Sequence, residues 1–138
     1  MKKTLLLLLG SLCMLLAQPS IVKDPQRGIL WEDTPHNQSE KLNYQRAQNY
    51  CQELILGEFK EWRLPTLMEL LSIVDYSKYQ PAILKEFQYV TDDALYWSST
   101  PYVRSQDERW GVNFKDGSTS NASINYDRYV RCVHDLKK

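Results

Sequence analysis

The chain has 138 residues, and its 17 lysines and arginines balance 17 aspartates and glutamates to a formal net charge of zero. With 43% apolar and 25% charged residues, it has the composition of a folded globular protein rather than of a disordered or collagen-like chain. The balanced charge removes the main electrostatic argument for a nucleic-acid partner, and the length predicts one domain.

The first 17 residues have the pattern of a secretory signal peptide. Lys2 and Lys3 form a basic start, and the run from Thr4 to Ala17 carries no charge. The alternative is an uncleaved membrane anchor, but about 14 apolar residues are fewer than the roughly 20 that span a bilayer. We therefore predict an exported protein, periplasmic or extracellular, that loses residues 1–17 and keeps no stable membrane span. Residues 18–138 are then expected to form the single domain.

Export to an oxidising compartment would affect the expected state of the cysteines. Cys13 lies in the predicted signal peptide, so Cys51 and Cys132 remain in the mature chain. An even number of cysteines in an oxidising compartment favours a disulfide, and two separate buried thiols are the alternative. A bridge would close a loop of about 80 residues and stabilise the fold by roughly 4 kcal/mol.

The mature chain opens with a predicted hairpin, a loop and a helix. Apolar runs at residues 21–23 and 28–31 flank turn-forming residues, and the polar stretch 32–42 reads as a loop. Asn43 can cap a helix that stops near Gly57. Helical spacing places three apolar side chains on one face: Ala47, Cys51 and Leu54.

The second predicted helix has a defined start, because Thr66 and Glu69 form a T-x-x-E capping box directly after Pro65. A stripe of apolar side chains follows: Leu67, Leu70, Leu71 and Val74. We interpret this stripe as core rather than as a cofactor site. Residues 75–93 are predicted to be a long loop, with a short turn of helix at 83–87, that packs through its own rings. Those rings are Tyr76, Tyr79, Phe87 and Tyr89.

From residue 95 onwards the hydrophobic period changes to two, which is typical of strands. Strands are predicted at 95–100, 109–114 and 129–133, with a turn at Asp116 and Gly117. Three side chains of the second strand share one face: Trp110, Val112 and Phe114. Because helices precede the sheet, the predicted fold class is α+β.

Six motifs occur in order: G-I-L-W-E-D (28–33), A-x-x-Y-C-x-x-L (47–54), W-R-L-P-T-x-x-E-L (62–70), Y-W-S-S-T (96–100), W-x-V-x-F-x-D-G (110–117) and Y-V-R-C-V (129–133). Over residues 21–134, this set resembles the bacterial family typified by the C-terminal domain of the Legionella collagen-like adhesin. The third motif supplies the residues expected to be structural: Trp62, Arg63, Pro65, Thr66 and Glu69.

The resemblance implies an α+β, C-type-lectin-like fold with two helices packed on small, mainly antiparallel sheets. It also implies one disulfide between the first helix and the final strand, where Cys51 and Cys132 stand. Members are mostly exported, and the domain of the type member is implicated in binding sulfated glycans. The chain has no collagen-like repeat. It also lacks the E-P-N, Q-P-D and W-N-D triplets of calcium-dependent lectins, so no calcium-bridged sugar site is implied.

Residues with catalytic or metal-binding potential do not form a recognisable set. His36 and His134 lack metal-ligand spacing, and the acidic pairs at 92–93 and 107–108 supply few of the six or more oxygens that calcium takes. Ser98 has no G-x-S-x-G elbow or nearby base. The third motif is also similar to formylglycine-generating enzymes, which have longer chains and a redox or copper-binding cysteine pair. We expect no enzyme activity, no cofactor and no metal.

Rings and arginines concentrate between residues 97 and 116: Trp97, Tyr102, Arg104, Arg109 and Trp110. Exposed rings stack on sugars, and arginines make forked hydrogen bonds to sulfate or carboxylate. The alternative is that Trp97 and Trp110 are core and that both arginines pair with nearby carboxylates. Arg63 and Arg131 are interpreted as structural, anchoring carboxylates such as Glu69.

The sequence therefore predicts an exported, non-catalytic binding module that recognises a glycan or another component of the envelope or cell surface. The alternative is a protein–protein interaction or assembly protein of the cell envelope. Substitution of Arg104 and Arg109 would separate a ligand site from a purely structural pair of arginines. A mature charge near neutrality means that a sulfated glycan would need a local basic patch.

Overall fold

A computed structural model describes residues 20–137, and within this range the chain forms two β-sheets and three helices. The predicted α+β class is therefore confirmed. The predicted signal peptide and Cys13 lie outside the described residues. None of the helices in the described part of the chain is long and apolar enough to cross a membrane.

The helices have these bounds: α1 His36–Ser39, α2 Tyr44–Glu53 and α3 Leu67–Ser72. The strands are β1 Ile21–Asp24, β2 Ile29–Glu32, β3 Lys41–Leu42, β4 Trp62–Arg63, β5 Leu95–Tyr102, β6 Ser105–Asn113, β7 Ser118–Ser123, β8 Arg128–Tyr129 and β9 Val133–Asp135. The four-stranded sheet has the order β1-β2-β9-β4, and the five-stranded sheet has the order β3-β8-β5-β6-β7. Neighbouring strands are antiparallel except β5 and β8, which are parallel.

Local sequence signals set the starts of the two longer helices. The Asn43 side chain accepts a hydrogen bond from the Arg46 N–H at 3.0 Å, which caps α2. In α3 the capping box is complete, since Glu69 N–H donates to Thr66 Oγ1 and Thr66 N–H donates to Glu69 Oε1. The predicted stop of α2 near Gly57 was too late, because the helix ends at Glu53 and the chain then turns.

Two predicted loops differ from the structure. Residues 36–39 of the first loop form the single-turn helix α1, because Asn37 is buried and its Oδ1 accepts the Thr34 N–H at 2.7 Å. Residues 83–87 form a hydrogen-bonded turn rather than a helix. The expectation that the long loop packs through its own rings holds for Phe87, which is buried, and is wrong for Tyr76 and Tyr79, which are exposed.

The disulfide between Cys51 and Cys132 is confirmed, with a Cα–Cα distance of 5.6 Å and both residues fully buried. It joins α2 to the segment that precedes β9. The predicted strand 129–133 is wrong as a single element. Residues Val130, Arg131 and Cys132 leave the five-stranded sheet after β8 and enter the four-stranded sheet at β9.

A buried polar cluster explains why the chain changes sheets at this point. Arg131 is fully buried, and its Nη1 donates to the Glu32 carbonyl at 2.6 Å and to Asp33 Oδ1 at 3.1 Å, while Nη2 donates to the Tyr89 carbonyl. Asp33 also accepts the backbone N–H groups of Gln88 and Tyr89. A buried guanidinium requires such partners, so this arginine holds the long loop against the core.

The β5, β6 and β7 strands lie between two hydrophobic clusters, because alternate side chains of a strand point to opposite faces. Tyr96, Val112 and Phe114 belong to one cluster, which also contains Leu70 of α3. The other cluster contains the disulfide and the following strand residues: Trp97 and Ala122. The inner strands of the five-stranded sheet are therefore fixed from both sides.

Candidate functional site

The predicted ligand-binding residues all fall on β5 and β6 or on the turn between them. A bulge in β5 lies between the pairs Trp97–Gly111 and Pro101–Arg109, and hydroxyl groups and backbone amides fix it. Ser98 Oγ donates to the Trp110 carbonyl at 2.6 Å, and Thr100 Oγ1 accepts the Leu67 N–H at 2.9 Å. The hydroxyl-rich stretch therefore ties β5 to β6 and to the start of α3, in keeping with a structural role for Ser98.

Trp97 does not belong to a surface site. Its side chain is fully buried in the cluster that contains the disulfide, and its Nε1–H donates to the Leu42 carbonyl at 2.8 Å. Tyr44 packs edge-on against the indole with ring centroids 5.6 Å apart. We therefore correct the predicted site by removing Trp97, since a buried ring with a satisfied donor has no face left for a ligand.

Arg109 and Trp110 are adjacent in β6 and so project to opposite faces of the sheet. The Arg109 guanidinium lies 4.7 Å from the centre of the Tyr44 ring. Its Nη1 donates to the carbonyls of Gln106 and Glu108 at 2.8 and 2.9 Å. Through these contacts Arg109 covers the Tyr44 ring and stabilises its own strand. Arg109 is therefore separated from the other predicted site residues.

Of the remaining predicted residues, Tyr102 and Trp110 are in contact with each other, and Arg104 lies in the turn of the β5–β6 hairpin. Tyr102 and Trp110 are half-buried and pack edge to face, with ring centroids 5.2 Å apart. Arg104 is exposed in the two-residue turn, and it makes no salt bridge to any residue from 20 to 137. We name these residues, together with Val103, the tip cluster.

Val103 is the member of the tip cluster that the sequence reasoning missed. It is 97% exposed, the highest exposure among the large apolar side chains that the structure describes. An apolar residue in the turn between two predicted strands, flanked by Tyr102 and Arg104, was the available signal. The end of the hairpin therefore combines a cation, two rings and an aliphatic side chain.

The third sequence motif supports the sheets and α3 rather than a ligand. Arg63 makes a bidentate pair with Glu69 at 2.8 and 2.9 Å, and it also binds both oxygens of Asp135 at 2.8 Å. Trp62 is buried, and its Nε1–H donates to the Phe59 carbonyl at 3.0 Å. The motif therefore connects β4, α3 and β9.

The electrostatics of this motif follow from its geometry. Burial alone would raise the pKa of Glu69, but hydrogen bonds from Arg63 and Thr66 outweigh it and hold the pKa below its ordinary value. Hydrogen bonds from Arg63 likewise lower the pKa of Asp135 and raise that of the guanidinium. Both carboxylates are therefore charged at neutral pH.

Other residues considered for chemistry are dispersed. His36 stacks on Tyr50 with centroids 3.9 Å apart, and His134 Nδ1 lies 2.5 Å from the Lys60 carbonyl oxygen, so each ring packs locally. Within residues 20–137, no group of three or more His, Cys, Asp or Glu side chains is arranged to hold a metal ion.

Fold and site together define a disulfide-bonded α+β domain that presents an aromatic and basic hairpin end at its surface. The family model of the Lcl C-terminal domain matches residues 20–134, which confirms the resemblance drawn from the six motifs. The chain belongs to this family. A comparison with curated proteins gives no match.

Proposed function

We propose that the protein is an exported, non-catalytic surface-binding module, and that the tip cluster binds a glycan or another component of the envelope or cell surface. The observation that carries the proposal is the contact between two half-buried rings, Tyr102 and Trp110, near a hairpin turn whose exposed Arg104 makes no salt bridge within residues 20–137. Membership of the Lcl C-terminal domain family and the buried disulfide support an exported binding role.

The chemistry of the tip cluster suits a sugar that carries an acidic group. The exposed parts of Tyr102 and Trp110 offer ring surface to the C–H groups of a sugar, while Arg104 can donate two parallel hydrogen bonds to a sulfate or carboxylate. Removal of Lys2 and Lys3 with the predicted signal peptide leaves 15 basic and 17 acidic residues, a formal charge of −2. Binding must therefore come from local contacts rather than from general attraction to polyanions.

The first test is a binding screen of the exported, disulfide-bonded protein against sulfated, carboxylated and neutral glycans at physiological salt. Arg104→Ala and Trp110→Ala should each weaken binding of an acidic glycan about tenfold, because each removes one direct contact. Arg46→Ala, which removes an exposed arginine on α2, is the matched control and should bind normally. Equal binding by all variants would place the site elsewhere.

The exposure of Val103 supports a second candidate function, in which the tip cluster binds an envelope protein or another copy of the chain. An apolar side chain at the centre of a contact is typical of a protein interface rather than of a sugar site. Val103→Asp would then abolish complex formation measured by light scattering. A monomeric mass at every concentration would count against self-assembly.

A further inference from the structure

A polar side chain on β7 lies beside the Trp110 ring. Trp110 and Asn121 are directly opposite each other in the β6–β7 pair, and β6 lies between β7 and β5, the strand that carries Tyr102. Residues directly opposite in antiparallel strands point to the same face of the sheet, with Cβ atoms about 5 Å apart. The Trp110 ring therefore has the Tyr102 ring on its β5 side and the Asn121 amide on its β7 side.

A carboxylate belongs to the same surface. Glu108 precedes Trp110 by two residues in β6, and the register of β6 with β7 is uninterrupted from Glu108 to Asn113, so Glu108 and Trp110 share one face. Asn121 Nδ2 donates to Glu108 Oε1 at 2.7 Å, and both side chains are half-buried. We name Glu108 and Asn121 the acceptor pair.

The acceptor pair offers hydrogen-bond acceptors and no cation. A carboxylate has about four acceptor positions, and Asn121 occupies one of those on Glu108. Within residues 20–137, Asn121 Oδ1 accepts no hydrogen bond and Glu108 forms no salt bridge. A sugar hydroxyl can donate to these oxygens, whereas a sulfate or carboxylate has no proton to donate and would meet a like charge.

The cations of this region lie elsewhere. Arg109 follows Glu108 in β6 and therefore projects to the other face of the sheet, where its guanidinium lies 4.7 Å from the centre of the Tyr44 ring. Arg104 is exposed in the hairpin turn and offers only donors to a ligand. The surface around the two rings therefore has a cation at the turn and a carboxylate on the β7 side.

We propose that the acceptor pair determines the specificity of the tip cluster, so that the site takes a glycan whose acidic units alternate with units that carry free hydroxyl groups. This inference rests on the proposed function. One unsulfated sugar unit stacks on Trp110 and donates hydroxyl hydrogen bonds to Glu108 and Asn121, while Arg104 binds the acidic group of another unit. A densely sulfated glycan binds more weakly, because it places an anion beside Glu108.

The test compares three hexasaccharides by calorimetric titration of the exported, disulfide-bonded protein at physiological salt, with and without EDTA. Hyaluronan carries carboxylates on alternate units and no sulfate, heparin is densely sulfated, and chitohexaose is neutral. We expect hyaluronan to bind more tightly than either of the others. Asn121→Ala should weaken hyaluronan binding about fivefold, the loss expected for one neutral hydrogen bond. Asn125→Ala, at an exposed asparagine after β7, is the matched control and should bind as the wild type does.

A second variant should gain affinity rather than lose it. Glu108→Gln keeps the shape of the side chain and one acceptor oxygen but removes the charge, so heparin binding should strengthen about fivefold while hyaluronan binding changes less than about twofold. Asp107→Asn removes the same charge from the neighbouring exposed residue, which projects to the other face of the sheet. This control should leave heparin binding unchanged.

Four results would overturn the inference: heparin binding more tightly than hyaluronan to the wild type, wild-type hyaluronan affinity in Asn121→Ala, equal gains in heparin affinity in Glu108→Gln and Asp107→Asn, or loss of hyaluronan binding in EDTA. The last result would mean that the acceptor pair holds a divalent cation rather than sugar hydroxyls.

The same titrations separate this inference from the proposed function. Weaker binding in Arg104→Ala and Trp110→Ala, with wild-type behaviour in Asn121→Ala and Glu108→Gln, would keep the proposed function and reject the role of the acceptor pair. Wild-type affinity in Arg104→Ala and Trp110→Ala would reject both.

Discussion

Replacement of the buried arginine by an apolar side chain of similar length, Arg131→Met, should destabilise the fold strongly. The change removes the hydrogen bonds to the Glu32 and Tyr89 carbonyls and leaves the Asp33 carboxylate, 1% exposed, without its cation. Breaking a buried ion pair from one side costs about 3–5 kcal/mol, because the partner stays buried and charged. The free energy of unfolding of a domain this size is only about 5–15 kcal/mol, so we expect a large drop in the urea midpoint.

The orphaned carboxylate can be tested directly in a double variant. Arg131→Met with Asp33→Asn removes both charges, and we expect it to recover about 1–3 kcal/mol relative to Arg131→Met alone. Arg27→Met is the matched control, because its contact with Asp24 at 3.4 Å is exposed and worth less than about 1 kcal/mol. A loss below about 1 kcal/mol in Arg131→Met, or no recovery in the double variant, would refute the reasoning.

Three further predictions concern the framework. Substitution of Cys51 and Cys132 by Ala should lower the free energy of unfolding by about 4.5 kcal/mol, since the bridge spans 81 residues, and urea unfolding with the disulfide intact or absent measures it. The pKa of Glu69 is lower in the folded state than in the unfolded chain, so the contact of Glu69 with Arg63 stabilises the fold above about pH 4 and is lost as the pH falls further. The variant Glu69→Gln should therefore show a smaller decline in the free energy of unfolding between about pH 5 and pH 2. An unchanged decline would contradict this. Gly117→Ala should cost about 1–3 kcal/mol, because the residue has φ +82° and two side chains fill the Cβ position; a thermal midpoint equal to the wild type would show that the turn adapts.

The sequence predicted correctly those elements that are stabilised by contacts between residues close together in the chain. The Asn43 cap and the Thr66–Glu69 box are made by residues three positions apart, so their pattern alone identifies the helix starts. The pairing of Cys51 with Cys132 followed from the even count of cysteines and from the family resemblance. The α+β order of the elements was equally visible, because the hydrophobic period changes along the chain.

The errors arose where distant residues decide the structure. The strand predicted at 129–133 is divided because Arg131 turns toward Asp33, which is 98 residues earlier in the chain. No local pattern encodes that contact. The same holds for Lys41 and Arg128, which come close together only because strand β3 pairs with strand β8.

The structure places the predicted site residues Arg109 and Trp110 on different faces of the sheet, and this separation could have been predicted from the sequence. Arg109 and Trp110 are neighbours in a strand, and alternation along a strand sends them to opposite faces. Trp97 is buried because it packs with Tyr44 and donates to the Leu42 carbonyl, contacts that depend on the tertiary fold. Period-two reasoning would therefore have separated Arg109 from Trp110, whereas the strand pattern alone could not predict the burial of Trp97.

We propose that this domain binds its ligand through the tip cluster, and one measurement tests this proposal most directly. The ¹⁵N-labelled, disulfide-bonded protein is titrated with the acidic glycan that binds best in the screen, and the amide and indole resonances are followed. We predict saturable shifts of the Trp110 indole N–H and of the amides of Val103 and Arg104. Saturable binding with these three signals unmoved would contradict the claim and assign recognition to another surface.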